Sequence, residues 1–173
     1  MNIAMLNGLL ERRSVRSFKK EQIKEEELQK VLQAGMYAPT ARNLQSPVIV
    51  VVQDPEEVSA VSRLNQIFTQ QKDPYYSAPT ILIVLAPKGN EFGVMDGSAV
   101  ITNLCNGAHA VGLGSCWINR PQWMFETSEG KDMLRRWGIE GEWVGVGSVA
   151  LGYIDTPAAE AKPRKEKYCV FVR

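Results

Sequence analysis

The sequence predicts one domain that mixes α-helices and β-strands around one core, and three observations carry that reading. A chain of 173 residues with 45% hydrophobic content is long enough for one well-buried core and short for two. PVIVVVQ (47–53) and TILIVLA (80–86) are β-branched apolar runs of strand length bounded by prolines. Elsewhere apolar residues recur at helical spacing.

In chain order, Ile3, Leu6 and Leu10 form the stripe of a first amphipathic helix, and Leu28, Val31, Leu32 and Gly35 that of a second. The two apolar runs follow as central strands buried on both faces, with a helix over 56–71 between them. Gly97, Ile101, Leu104, Cys105 and Ala108 mark a core helix that ends at Gly112, where glycine supplies the left-handed cap. SCWIN (115–119) reads as a short strand and 124–137 as a helix stopped by Gly138. EWVGVGSVALGY (142–153) is a long strand interrupted by glycines. The polar, proline-containing DTPAAEAKPRKEK then leads to YCVFVR, a last strand on a tether. It either returns to its own sheet or reaches across to complete the sheet of a partner copy.

Composition excludes several function classes. A net charge of +1, from 20 basic and 19 acidic side chains, gives no global attraction to nucleic acid or to a membrane surface. Three cysteines (105, 116, 169) and the single His109 form neither an even disulfide framework nor a metal-ligand spacing, which points to a reducing compartment. No apolar run approaches the ~20 residues of a spanning helix, and the arginines follow the apolar N-terminus where a leader would have them first. The expectation is a cytoplasmic protein with no metal.

The charges that remain are grouped. ERRSVRSF (11–18) holds Arg12, Arg13 and Arg16 with Ser14 and Ser17, and a second cluster, Lys162, Arg164, Lys165 and Lys167, stands near the other end of the chain. Solvated charge at a helix C-terminus accounts for an isolated basic run. Two clusters in a balanced chain, with the Ser14 hydroxyl, suit a bound phosphate. No standard nucleotide loop takes it: GVGSVA (145–150) matches G-x-G-x-x-A but no helix follows, and GLGS (112–115) runs from helix into strand, the reverse of the required order.

Four stretches in order, ERRSVRSF, APTARNLQSPVIVVV (38–52), DGSAVITNLCNGAHAVGLGSCWI (96–118) and VALGYIDTPAAEAKPRKE (149–166), resemble the nitroreductase family of flavin-dependent oxidoreductases. The resemblance runs from about residue 10 to 167. It implies an α+β fold with a mostly antiparallel central sheet flanked by helices, a single domain over 1–173 with 155–173 as an arm exchanged with a partner, and a homodimer holding FMN at its interface. It further implies NADH or NADPH as electron donor and a small-molecule acceptor such as a nitroaromatic or quinone, reduced in a ping-pong cycle. A metabolite-specific flavin dehydrogenase, a reductive dehalogenase, and a non-catalytic flavin carrier or redox sensor are the alternatives.

Carried over residue by residue, the resemblance puts Arg12 and Ser14 at the flavin phosphate, Arg13 at the phosphate or ribityl chain, and Arg16 at the pyrimidine N1/O2 edge. Arg16 is there the one catalytic side chain, tuning the flavin, since hydride transfer needs no acid/base dyad. Pro39, Thr40, Ala41, Asn43 and Gln45 would come from the other subunit, Lys162 and Arg164 would add phosphate ligands, and Gln71 is a weaker amide candidate. Gly112, Leu113, Gly114 and Ser115 would lie beside the ring, where small residues permit close backbone approach; a helix cap and tight turn explain the same glycines. Cys116 reads as a buried small hydrophobe, His109 as a residue satisfying local carbonyls, and Trp117, Trp123, Trp137 and Trp143 mainly as core or interface residues, Trp123 being the one among them that could instead line a substrate pocket.

Overall fold

The computed structural model describes residues 3–173; the first two residues of the expected domain lie outside the described residues. Six helices and four strands follow one another as α1 (Ile3–Glu11), α2 (Glu25–Met36), β1 (Val48–Val52), α3 (Pro55–Gln66), β2 (Thr80–Pro87), α4 (Gly93–Ala110), β3 (Gly114–Ile118), α5 (Pro121–Met124), α6 (Ser128–Arg136) and β4 (Trp143–Gly152). The strands make one fully antiparallel sheet in the order β1-β2-β4-β3, so the α+β expectation holds.

β2 is central, and its period of two decides the layering. Ile81, Ile83 and Leu85 face a core shared with Val61, Leu64, Met124 and Met133 of α3, α5 and α6. Leu82 and Val84 face the opposite core, built on Leu28 and Val31 of α2 and on Ile101 and Leu104 of α4. α2 and α4 cross closely because Gly35 lies against Leu104 and Gly107 against Ala34; a Cβ at either glycine would come within 2.5 or 2.6 Å of those side chains. Asp54 caps α3 by accepting from the Glu56 and Glu57 amides at 3.0 Å, with Pro55 opening the helix.

Four expectations are corrected. β1 is an edge strand with Val48 and Val51 exposed, because only β2 pairs with it. The helix expected over 124–137 begins only at Ser128, as α6, where Thr127 caps it by accepting from the Gly130 amide at 3.0 Å; Met124 instead ends the short α5. The helix expected over 56–71 stops at Gln66. Residues 168–173 form no strand and are exposed, so YCVFVR does not return to its own sheet. α1 is helical as expected, yet it buries none of its residues, and Ile3, Leu6, Leu9 and Leu10 stay exposed.

The glycines of GVGSVA have a structural account. Between Val84 and Leu85 the β2–β4 register shifts, so that Gly147 and Gly145 face consecutive β2 residues and Val146 is the extra residue of a bulge. Val146 packs onto Gly97, Gly145 presses against Pro121, and Gly147 leaves room for the Trp117 indole. No helix follows, in keeping with the rejection of a dinucleotide loop.

Candidate functional site

The basic segment after α1 is held along the edge of the sheet. Ser14 bridges to Ser115 at the start of β3, with the Val15 amide donating to the Ser115 carbonyl at 2.9 Å. Phe18 bridges to Ile154, just after β4, and the Asp155 amide donates to the Ser17 carbonyl at 3.1 Å. Residues 14–18 are thus clamped between β3 and the root of the C-terminal arm. Ser14, Arg16 and Ser17 line a cavity of about 220 Å³ together with Thr156, Pro157, Ala158 and Ala159 of that arm.

The arginines differ in use. Arg13 is spent locally: its Nη1 donates at 2.7 Å to the carbonyls of Leu10 and Arg12 at the end of α1. Arg16 is exposed, and among the described residues its one hydrogen bond is a 3.5 Å contact from Nη1 to the Ser14 carbonyl. Arg12 and Arg16 place positive potential on this edge, as two buried thiols register. Burial pushes the Cys116 thiol up, opposed by Arg16, Ser14 and Arg12; burial likewise raises Cys105, opposed by Ser115 and Arg12. Cys116 is the buried small residue expected. Lys162 and Arg164 are exposed on the arm, joined by a 3.5 Å contact from Arg164 Nη1 to the Lys162 carbonyl, and among the described residues neither pairs with a carboxylate.

The segment 39–45 lies elsewhere in the chain. It folds into a 3₁₀ turn, Ala41–Asn43, and Arg42 and Asn43 within it and Gln45 just after it have φ of 54°, 54° and 50°. The left-handed region is unfavourable for such side chains unless contacts impose it. Here the Gln45 amide donates to Thr40 Oγ1 at 3.0 Å, and the Ala41 amide to Asp96 Oδ1 at 2.9 Å. Sequence reasoning missed Asp96, a buried carboxylate whose Oδ2 has no partner among the described residues. Thr40 and Gln45 line a cavity of about 490 Å³ with Leu32, Val48, Ile49 and Val100, and not the one at Arg16. Pro39 and Asn43 are exposed. Within one chain the two halves of the expected site are therefore not brought together.

Gly112, Leu113, Gly114 and Ser115 are engaged by the fold itself. Gly112 takes φ 81° with open space around it, which is the cap expected at the end of α4. Leu113 is buried, and a Cβ on Gly114 would meet Val15 at 2.9 Å and Ile154 at 3.0 Å. The Ser115 hydroxyl, also buried, lies 3.5 Å from the Cys105 carbonyl. His109 lines a groove between α1 and α4.

At the far end of β3 lies a second polar cavity, which takes in the expected Gln71. Gln71 lines a cavity of about 170 Å³ with Asn65, Thr69, Tyr76, Trp117, Asn119 and Arg120. The turn 118–120 that forms its floor is pinned from behind. The Asn65 amide donates to the Asn119 carbonyl at 3.0 Å, Ser148 Oγ lies 3.4 Å from the Ile118 carbonyl, and Tyr75 joins Ser148 at 2.9 Å. Burial raises the Tyr75 phenol from 10.0 to about 12, opposed by its contacts to Ser148 and Asn65. Its protonated form is favoured in the folded state, so this contribution is complete below pH ~10 and is lost as pH rises toward ~12, amounting to about 2–3 kcal/mol. Alkaline denaturation should show that loss, and Tyr75→Phe should remove the pH 10–12 component from the unfolding free energy.

Comparison with known proteins decides the family. The nitroreductase family model matches residues 9–153. The chain belongs to the nitroreductase family. It is 30% identical over 153 residues to a protein of Archaeoglobus fulgidus that carries an NADH dehydrogenase/NAD(P)H nitroreductase name, covering 86% of this chain and 84% of the relative. Among solved structures, the Bacteroides fragilis nitroreductase with bound FMN superposes with a TM-score of 0.90 at 26% identity, covering 98% of each chain. An FMN-dependent nitroreductase of Clostridium difficile shares the fold with a TM-score of 0.85 at 22% identity, covering 99% of this chain and all of the other. Nitroreductase-family membership makes the chain an oxidoreductase by family. Among the described residues no helix is long and apolar enough to cross a membrane, and no group of three His, Cys, Asp or Glu could hold a metal ion.

Proposed function

We propose that this protein is an FMN-dependent oxidoreductase that takes a hydride from NADH or NADPH and delivers it to an electron acceptor such as a nitroaromatic or quinone, by a ping-pong cycle at one site. The observation that carries the reading is the clamped edge around Ser14: a cavity shared by Ser14, Arg16 and the root of the basic arm, in the positive potential of Arg12 and Arg16. These residues fit the phosphate and polar chain of FMN, and the FMN named for the Bacteroides fragilis structure supports that choice. When bound, FMN supplies a two-electron carrier for hydride transfer.

In this reading Arg12 and Ser14 bind phosphate, joined by Lys162 and Arg164 when the arm folds over the site. Arg13 contributes to the phosphate or ribityl side by shifting from its cap on α1. Arg16 offsets the negative charge of the reduced cofactor at its N1/O2 edge. Gly112, Leu113, Gly114 and Ser115 present β3 backbone beside the ring, and Gln71 contributes an amide. Pro39, Thr40, Ala41, Asn43 and Gln45 come from the second subunit of a homodimer, which accounts for their distance from Arg16 within one chain. The exposed edge of β1 and the unpaired segment 168–173 are complementary halves of a strand exchange between copies. The domain is a single one over 1–173 with 155–173 as the arm, working in the cytoplasm without nucleic-acid or membrane partners.

Arg16→Ala tests the tuning role. Losing a charge-assisted contact to the reduced form should lower the two-electron potential by about 30–60 mV, measured by dye equilibration, while FMN stays bound. An unchanged potential would remove Arg16 from the N1/O2 edge.

A further inference from the structure

Arg120 stands in the left-handed region with φ 91° and ψ −12°, immediately before Pro121. That conformation is costly for an arginine, and two side-chain contacts hold it. Nε donates to the Phe68 carbonyl at 3.1 Å, and the guanidinium lies 5.0 Å from the Trp123 ring centre. Trp123 in turn packs on Phe68, with ring centres 6.3 Å apart. Tyr76, across the cavity, is also left-handed at φ 56°.

The cavity so built has one cation and no carboxylate in its lining. Among the described residues Arg120 makes no ion pair, and its two terminal nitrogens donate no hydrogen bond to protein. Gln71, Thr69 and Asn119 add neutral polar groups, and beside the cavity Trp123, the ring against which the Arg120 guanidinium lies, is exposed at 44%. Arg120 lies five residues beyond Ser115, a span of roughly 16 Å along an extended strand. Arg120 and Gln71 thus lie at the opposite end of β3 from Ser14.

We infer that Arg120 is a specificity-determining residue, its free guanidinium fork receiving the carboxylate of a small planar aromatic electron acceptor that packs beside the exposed Trp123 ring. One guanidinium in a small cavity matches a carboxylate bound bidentately; a lone cation is a poorer match for a phosphate dianion. The inference rests on the proposed oxidoreductase for calling the ligand an acceptor.

The test titrates the FMN-reconstituted protein with 4-nitrobenzoate and its neutral analogue 4-nitrobenzamide, following quenching of tryptophan fluorescence, and then measures turnover with each. Wild type should bind and reduce the carboxylate with an advantage of about tenfold to a hundredfold, as loss of one charge-assisted pair predicts. Arg120→Gln should abolish that advantage, bringing the ratio between the two acceptors to about one. Arg120→Gly, which suits a positive φ, should do the same without strain, and Arg120→Lys should restore part of it. A parallel loss for both acceptors, an advantage that survives Arg120→Gln, or no advantage in wild type would overturn the inference. So would a loss confined to NADPH relative to NADH, which assigns the cation to the donor's 2′-phosphate. A binding preference that holds while no donor drives turnover supports Arg120 as an anion site and instead sinks the oxidoreductase reading.

Discussion

Replacing Arg12 with alanine is expected to weaken FMN binding about tenfold to a hundredfold, the worth of one charge-assisted phosphate contact. Arg12 is half-buried, and its positive field reaches both Cys105 and Cys116, so its charge acts in a poorly screened place beside Ser14. Its amide already closes α1 onto the Gly8 carbonyl at 3.1 Å, a contact that alanine retains. The fold should therefore survive and the loss should appear in cofactor affinity, read by titrating apoprotein with FMN and following flavin fluorescence. An affinity within twofold of wild type would take Arg12 out of the site.

Gly145→Ala is the second substitution with a large expected effect, this time on stability. In a strand, alanine is ordinarily the better residue. At this position a Cβ would lie 2.3 Å from the Pro121 carbonyl oxygen and 2.4 Å from its carbon, and backbone cannot swing aside as a side chain can. Either β4 shifts or α5 lifts, with a cost of about 3 kcal/mol. For a chain of this size that lowers Tm by roughly 6–12 °C, measurable by calorimetry. Because α5 carries Trp123 and follows Arg120, the surviving fold should also lose its grip on the cavity at Gln71. Gly138→Ala is the control, since nothing lies within 4 Å of its Cβ and only the positive φ is strained.

The strands were legible where burial alone defines them. TILIVLA announces β2 because both of its faces are covered, and a continuous apolar run has that one explanation in a short segment. PVIVVVQ looks the same in sequence, yet β1 is an edge, because the order of strands depends on pairings that no local pattern encodes. Val146 was invisible as a bulge for the same reason: its extra position exists only relative to β2. The later start of α6 did carry a signal, since Thr127 is a helix-capping residue type at the position where the helix begins. YCVFVR alternates like a strand, but a strand is completed by the edge it meets, and residues 168–173 meet none within this chain.

The site was readable to the extent that its chemistry resides in contiguous residues. The SVRSF half of ERRSVRSF, residues 14–18, is clamped at the sheet edge next to the root of the arm. Arg120 was missed because an arginine between Asn119 and Pro121 announces no left-handed turn; a residue before proline is restricted, and that was the available hint. Asp96 was missed because it acts on backbone far away in sequence, at Ala41, and the anchoring role of Asn65 was illegible for the same reason, since its partner is the Asn119 carbonyl.

The measurement that tests the central claim most directly is the visible spectrum of the purified protein followed by anaerobic addition of NADH and then NADPH. The account predicts flavin absorption bands that bleach with at least one of the two donors and return when a quinone or nitroaromatic is added. A bound flavin that neither donor bleaches, or a protein that takes up no FMN when it is supplied, would contradict it.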